Sequence, residues 1–187
     1  MMGSDATREL RAFRDQLVGL QKDTDSFLHR CAVLLGERLN RLARKRTPVW
    51  NPVKTRAIIE HGEETGHKWG LMPRSATDRV KTADQIWAEY WAGRTGGTLR
   101  KAWKVGEPTV SSGTVRVEVK NSTKYASYVE LGHRQTPGRY VPALGVFLKK
   151  PWVPGQHMLE LSEQELKPKI PGILQRELDA WLRKGMK

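Results

Sequence analysis

Three groups of residues in this 187-residue chain could carry chemistry by their type and spacing. The first is His61-Gly62-Glu63-Glu64-Thr65-Gly66-His67, where two imidazoles and two carboxylates, the donors a divalent metal takes, fall within one short stretch. The histidines stand six residues apart, however, whereas a helix brings paired histidine ligands onto one face at a spacing of four. The stretch reads as a solvated loop. The second is Glu118-Val119-Lys120, the Glu-x-Lys half of a metal-dependent nuclease site, with Glu107 as the available upstream acid. Strand alternation sets Glu118 and Lys120 on one polar face, where a charge pair needs no catalytic role. The third is Cys31, whose neighbours Leu28, Leu34 and Leu35 mark a buried structural thiol rather than a nucleophile. Gly93-Arg94-Thr95-Gly96-Gly97-Thr98 is glycine-rich but lacks the lysine–hydroxyl ending of a phosphate-binding loop. No catalytic residue, metal site or cofactor is assigned on these grounds, and the reading is of a protein that is not an enzyme.

The elements that must position any site can be read from periodicity. Leu10, Phe13, Leu17, Leu20, Phe27, Leu28, Leu34, Leu35, Leu39 and Leu42 recur mostly at steps of three and four, which predicts one long amphipathic helix over 5–46. Asp23-Thr24-Asp25-Ser26 weakens its middle, and Thr47-Pro48 ends it. Such a helix is too long for so small a domain to bury, so part of its stripe is expected to pack on another subunit. Residues 50–94 read as an insertion of loops with one helix, Thr82 to Trp91, and Trp50, Trp69, Trp87 and Trp91 as anchors to the core or to a neighbour. Strand signals run from Thr98 to Val105 and from Gly113 to Asn121, with Val115, Val117 and Val119 on the buried side, within a sheet core over 95–135. Residues 138–155 read as a projecting loop whose apolar tip, Val146-Phe147-Leu148, is a second candidate contact. Residues 157–185 read as helical, with a break at Pro168 and Pro171. The predicted fold is a single α+β domain: a long N-terminal helix on a small antiparallel sheet, with an inserted region and a C-terminal helix.

After the second strand comes Tyr125-Ala126-Ser127-Tyr128-Val129-Glu130-Leu131-Gly132-His133. It resembles the YA-x-YVE-x-GH/T signature of the siphophage gene-product-ten-like family of head–tail joining or tail-completion (neck) proteins. Thr47-Pro48-Val49 is similar to the end of that family's first helix, and Thr95-Gly96 with Leu99-Arg100-Lys101-Ala102-Trp103 to its approach to the sheet. The two halves are normally contiguous; here residues 50–94 separate them, and Arg94 stands where an aspartate is expected. Trp152 to Leu159 and Ser162 to Leu166 resemble the family's approach to its last helix, so the resemblance covers Leu10–Val49 and Thr95–Leu182. It implies a structural protein of the phage neck or tail end in the virion, assembled in the host cytoplasm. It further implies a homo-oligomeric ring, most often sixfold, with other neck and tail proteins as partners, passing contact with DNA, no membrane and no cofactor. On this resemblance Thr47, Pro48, Thr95, Gly96, Leu99, Trp103, Tyr125, Tyr128, Val129, Glu130, Gly132 and His133 define the fold. Independently of the family, Tyr125, Tyr128 and Val129 form an apolar cluster expected in the core, and Trp103 is expected beside the first helix. Gly132 permits a sharp exit at positive φ.

Charge supplies the competing reading. Thirty-three Lys and Arg against 20 Asp and Glu leave a net charge of +13, which favours nucleic acid, an anionic surface or an acidic protein. Arg38, Arg41, Arg44, Lys45 and Arg46 crowd one helix end, where the macrodipole also favours them. A basic nucleic-acid-binding protein is therefore the alternative, and a nuclease the third reading. No apolar run reaches bilayer length, Met1 to Arg14 holds no signal-type stretch, and one cysteine builds no internal disulfide, so a cytosolic protein is expected.

Overall fold

The computed structural model describes residues 3–64, 82–94, 96–111 and 114–186, with side chains from residue 8 and, in the first stretch, as far as residue 61. In chain order the elements are α1 (Gly3–Arg46), α2 (Pro52–Glu64), α3 (Ala83–Ile86) running on as a π-helical turn (Trp87–Trp91), and α4 (Thr98–Lys101). Strands β1 (Trp103–Val105), β2 (Thr109–Ser111), β3 (Thr114–Arg116) and β4 (Val119–Asn121) follow, then α5 (Ala126–Leu131) and β5 (Gly132–Arg134). The chain closes with β6 (Tyr140–Val141), β7 (Val146–Phe147), β8 (Trp152–Pro154), α6 (Met158–Leu166), a 3-10 turn (Lys167–Lys169) and α7 (Ile170–Gly185). The class is α+β. In place of the single small sheet expected, the strands form four separate two-stranded antiparallel sheets, β1–β4, β2–β3, β5–β8 and β6–β7. These elements gather into two compact units, one of α1, β1–β4, α6 and α7, the other of α2–α5 and β5–β8.

In the first unit α1 runs unbroken for 44 residues through Asp23–Ser26. Two of the polar side chains that would unsettle it are engaged. The Thr24 hydroxyl donates back to the Leu20 carbonyl at 3.2 Å, and Asp23 accepts the Trp181 indole N–H at 2.9 Å. That N–H is the main cause holding Asp23 below its ordinary pKa. Helix α7 packs on α1 through Phe27 and Trp181, stacked with centroids 4.6 Å apart. Helix α6 is tied to the end of α1 by Arg46 and Glu165 at 2.6 Å, and Glu165 also meets Lys169 at 2.8 Å. On the sheet side the backbone of α1 comes close: a Cβ at Gly36 would lie 2.8 Å from Val105 Cγ1 and 3.0 Å from Val117 Cγ2. Trp103 is buried in β1, a strand that packs on α1, as its composition predicts. Val115, Val117 and Val119 are half-buried while Arg116, Glu118 and Lys120 are exposed, the alternation of a one-sided sheet. The earlier strand signal is half wrong. Thr98–Lys101 is a helical turn, closed by Lys101 N–H to the Gly97 carbonyl at 2.9 Å, and the strand begins at Trp103.

The second unit holds the main departure from expectation. Pro52–Glu64, read as loop, is helical. Asn51 Oδ1 accepts the Lys54 N–H at 3.1 Å as a cap, Pro52 supplies the φ of a first helical position, and Thr55 and Ile59, four apart, turn inward. Gly62 costs such a helix about 1 kcal/mol, which burial of Ile59 outweighs. The predicted helix at Thr82 to Trp91 is present and starts with a capping box between Thr82 and Gln85. Ile59, Ala83 and Ile86 form the core of the unit, covered by Trp87, Tyr90 and Trp91. Strands β6 and β7 make a hairpin in which Tyr140 packs on Phe147 at 4.9 Å. Its turn is 142–145, so Val146, Phe147 and Leu148 are not an exposed tip. They lie half-buried, Val146 and Phe147 on the returning strand and Leu148 just after it, because Gly145 N–H bonds back to the Val141 carbonyl at 3.0 Å and closes the turn before them.

Candidate assembly surface

Each of the residues singled out as defining the fold has an identifiable place, apart from Thr95, which with Trp69 lies outside the described residues. Thr47 is buried, and its carbonyl accepts from Arg100 Nη2 at 2.8 Å and Nε at 3.2 Å; Pro48 follows, exposed, where α1 has ended. Leu99 is buried in α4. Gly96 lies against Trp50, with room for no Cβ beyond 2.9 Å from the Trp50 carbonyl.

The signature segment folds as α5 and β5. Gly132 has φ 84° and ψ 173°, and it pairs with Pro154 while His133 pairs with Val153. The Val129 and Glu130 carbonyls accept the Gln156 and His157 N–H groups at 2.8 and 3.0 Å. The backbone is thus tied to β8 and the residues after it, but the aromatic side chains are not core. Tyr128 is 58% exposed, Tyr125 and Leu131 are exposed beside it, and Val129, Glu130 and His133 are half-buried. The reason is geometric. Tyr128 and Leu131, three apart, share one outward face of the six-residue helix, and Tyr125 stands exposed at its N-cap. The Tyr128 ring meets His133 edge-on at 5.9 Å, and Trp152 on β8 is also exposed.

Three of the candidate contact tryptophans form a stack within the second unit. Trp50 lies 4.8 Å from Trp91 and 6.1 Å from Trp87, and its N–H donates to Thr55 Oγ1 at 2.6 Å. Trp91 Nε1 donates to the Ala143 carbonyl at 2.5 Å, which seats the hairpin turn on the tryptophan helix. Pro52, Val53, Arg56, Ala57, Glu60 and Trp87 line a shallow open depression of about 450 Å³. Val53 is 76% exposed at its edge, with Ile58 also outward. Arg56 crosses this surface over Trp87 at 5.7 Å, paired with Glu60 at 2.6 Å and Asp84 at 2.5 Å; these bonds, Glu60 first, push its pKa further up. Val53, Ile58, Leu131 and Trp152 were not singled out by sequence reasoning. The apolar content of α2 was the available signal, masked by the reading of 50–64 as loop.

The first unit carries two further surfaces, both on α1. Leu10, Phe13, Leu17 and Val18 are exposed near its start. Toward its end Arg38, Arg41, Arg44 and Lys45 are exposed and have no ion-pair partner among the described residues, whereas Arg46 is held by Glu165.

Of the residues considered for chemistry, the described ones are placed as follows. Burial, the leading cause, raises the Cys31 pKa and disfavours its thiolate. Glu118 and Lys120 pair with each other at 3.3 Å, both well exposed. Among the described residues no group of three or more His, Cys, Asp and Glu is placed to hold a metal ion; His67 lies outside them. Among the same residues no helix is long and apolar enough to cross a membrane.

A family model described as "Bacteriophage HK97-gp10, putative tail-component" matches residues 11–132, from α1 through Gly132. The matched span stops short of the C-terminal block, Trp152 to Leu182, in which a resemblance was also read. No curated protein and no solved structure matches the chain.

Proposed function

We infer, from the fact that the chain belongs to the HK97-gp10-like family of bacteriophage tail components, that it completes the end of the tail to which the head is joined. A tail component is a virion protein; we place this one at the neck, as a homo-oligomeric ring, hexameric by the family resemblance. Its partners are other neck and tail proteins, assembled with it in the host cytoplasm, and it works without catalysis. The observation that carries the reading is the match over 11–132, which includes the signature through Gly132. The distribution of apolar side chains supports it. A ring closes through heterologous contacts, so each protomer must offer two different faces to its neighbours. Val53, Ile58 and Trp87 around the depression supply one candidate face, and Tyr125, Tyr128, Leu131 and Trp152 another. Trp50 and Trp91 support the first face from beneath.

The test is complementation of a phage lacking the protein. Val53→Asp and Tyr128→Asp change exposed positions, so the variants should fold with wild-type helix content. Joined particles should fall while separate heads and tails accumulate. Normal particle yield from both variants would reject these faces, and a normal yield with no protein at all would reject the role.

The cationic stripe Arg38, Arg41, Arg44 and Lys45 favours one second reading, contact with DNA phosphates. It is tested directly: duplex binding should weaken linearly in log–log form as salt rises, and binding indifferent to salt dismisses it.

A further inference from the structure

The seam of α1 continues past the point where the rest of its unit covers it. Leu10, Phe13, Leu17 and Leu20 take alternating steps of three and four, the a and d places of a heptad, and the same steps run on through Thr24, Phe27, Cys31 and Leu34. From Leu20 onward the seam is filled from within: Leu20 and Cys31 are buried, and Phe27 stacks on Trp181. Helix α7 ends at Gly185, and a Cβ there would run into the Leu20 side chain. N-terminal to that point the seam is open, with Leu10 70%, Phe13 45% and Leu17 46% exposed.

We propose that residues 8–20 of α1 pair in parallel with the same segment of a second copy of the chain. The charges beside the seam select both occupant and direction. In a parallel pair a g residue faces the e residue five positions on in its partner, which sets Glu9 opposite the partner's Arg14 and Gln16 opposite the partner's Gln21. The first is an attraction made twice by symmetry, the second a neutral amide pair. An antiparallel pair with the same apolar layers aligned sets Arg14 against the partner's Arg14 and Glu9 against the partner's Asp23, like charges both times. Among the described residues of one chain Arg14 pairs with its neighbour Asp15 at 2.7 Å, with both side chains largely exposed, an arrangement too weakly held to withdraw it from a partner. The contact rests on the oligomeric reading above only in requiring more than one copy: it is an isologous contact between two copies, in addition to the heterologous contacts that would close a ring.

Sedimentation velocity on the full chain across a dilution series tests it. The wild type should self-associate reversibly, and Leu17→Asp should weaken that roughly tenfold or more with helix content unchanged. Glu9→Arg and Arg14→Glu should each weaken it, and the two together should restore it, which a merely sticky patch does not do. Leu10→Cys should crosslink to itself on oxidation. Crosslinking of Leu10→Cys preferentially to a Leu20→Cys chain, or a double charge swap without rescue, overturns the parallel pairing. Capture of a different tail protein by the stripe, again without rescue, overturns it equally. Oligomers that ignore Leu17→Asp overturn the helix contact but leave the ring standing. A wild type monomeric at every concentration also overturns the pairing.

Discussion

Gly132 and Tyr128 stand four residues apart in one signature and do opposite work. Gly132 occupies a backbone region closed to other residues, and a Cβ there would strike the Val153 carbonyl and approach Gly155 N at 2.8 Å. Gly132→Ala should therefore lower stability by about 1–3 kcal/mol or more, read as a shift in the urea midpoint. Tyr128→Ala, at an exposed position, should stay within about 0.5 kcal/mol of wild type by the same measurement, yet reduce particle joining. Equal stability losses for the two would contradict this division between backbone and surface. Glu165 supplies the pH dependence. Hydrogen bonds from Lys169 first and Arg46 second lower its pKa from 4.5 to about 2. A depressed carboxylate stabilises the fold above its ordinary pKa and loses that contribution as pH falls, here between 4.5 and about 2. Glu165→Gln should flatten the acid limb of the stability profile in that window, and an unchanged limb would argue against the Arg46–Glu165–Lys169 link. The partial exposure of this group keeps the effect modest.

Among the elements, α1 is the scaffold of the first unit and meets three kinds of neighbour along its length: strands near Gly36, α7 from Leu20 to Phe27, and α6 at Arg46. Its backbone comes close to the strands at Gly36. Alanine there gains about 1 kcal/mol of helix propensity but presses on two valine methyl groups, and overpacking of that kind costs about 1–3 kcal/mol. The short, branched valines have little freedom to yield, so Gly36→Ala should be net destabilising; a rise in thermal midpoint would show that the helix can move off the strands. In the second unit α2 depends on its first turn. Asn51→Ala removes the cap on Lys54 N–H and should cost about 0.5–2 kcal/mol, with helix content falling in the same circular-dichroism measurement.

At the scale of the whole molecule, the chain leaves the first unit after Arg46, returns at Ala102, leaves again after Ser122 and returns at Met158. Neither unit is one continuous segment, so no single cut in the sequence releases either unit intact. The net charge of +13 belongs to this scale too, since much of it is solvated and some is paired. If the α1 stripe meets DNA, replacing Arg38, Arg41, Arg44 and Lys45 by Gln should reduce the salt slope by about 0.9 for each phosphate no longer neutralised. A slope unchanged by the replacement would move the DNA-binding surface elsewhere or remove it.

What the sequence by itself determined is what is local. The repeat of Leu, Phe and Leu along α1, the stop at Thr47-Pro48, the alternation of Val115, Val117 and Val119, and the need for positive φ at Gly132 follow from helix period, proline stereochemistry, strand pleat and the missing Cβ. Each of these properties is decided within a few neighbouring residues. The tertiary structure alone decided where burial falls. Helix α2 survives His61-Gly62 because Ile59 finds Ala83 and Ile86, some 24 residues on. The hairpin turn is fastened because Trp91 reaches Ala143, and Asp23 is quieted because Trp181 comes from the other end of the chain. The signature tyrosines face outward for the same reason, since hydrophobicity states what a side chain would gain by burial, while only the arrangement of distant segments provides something to bury it against.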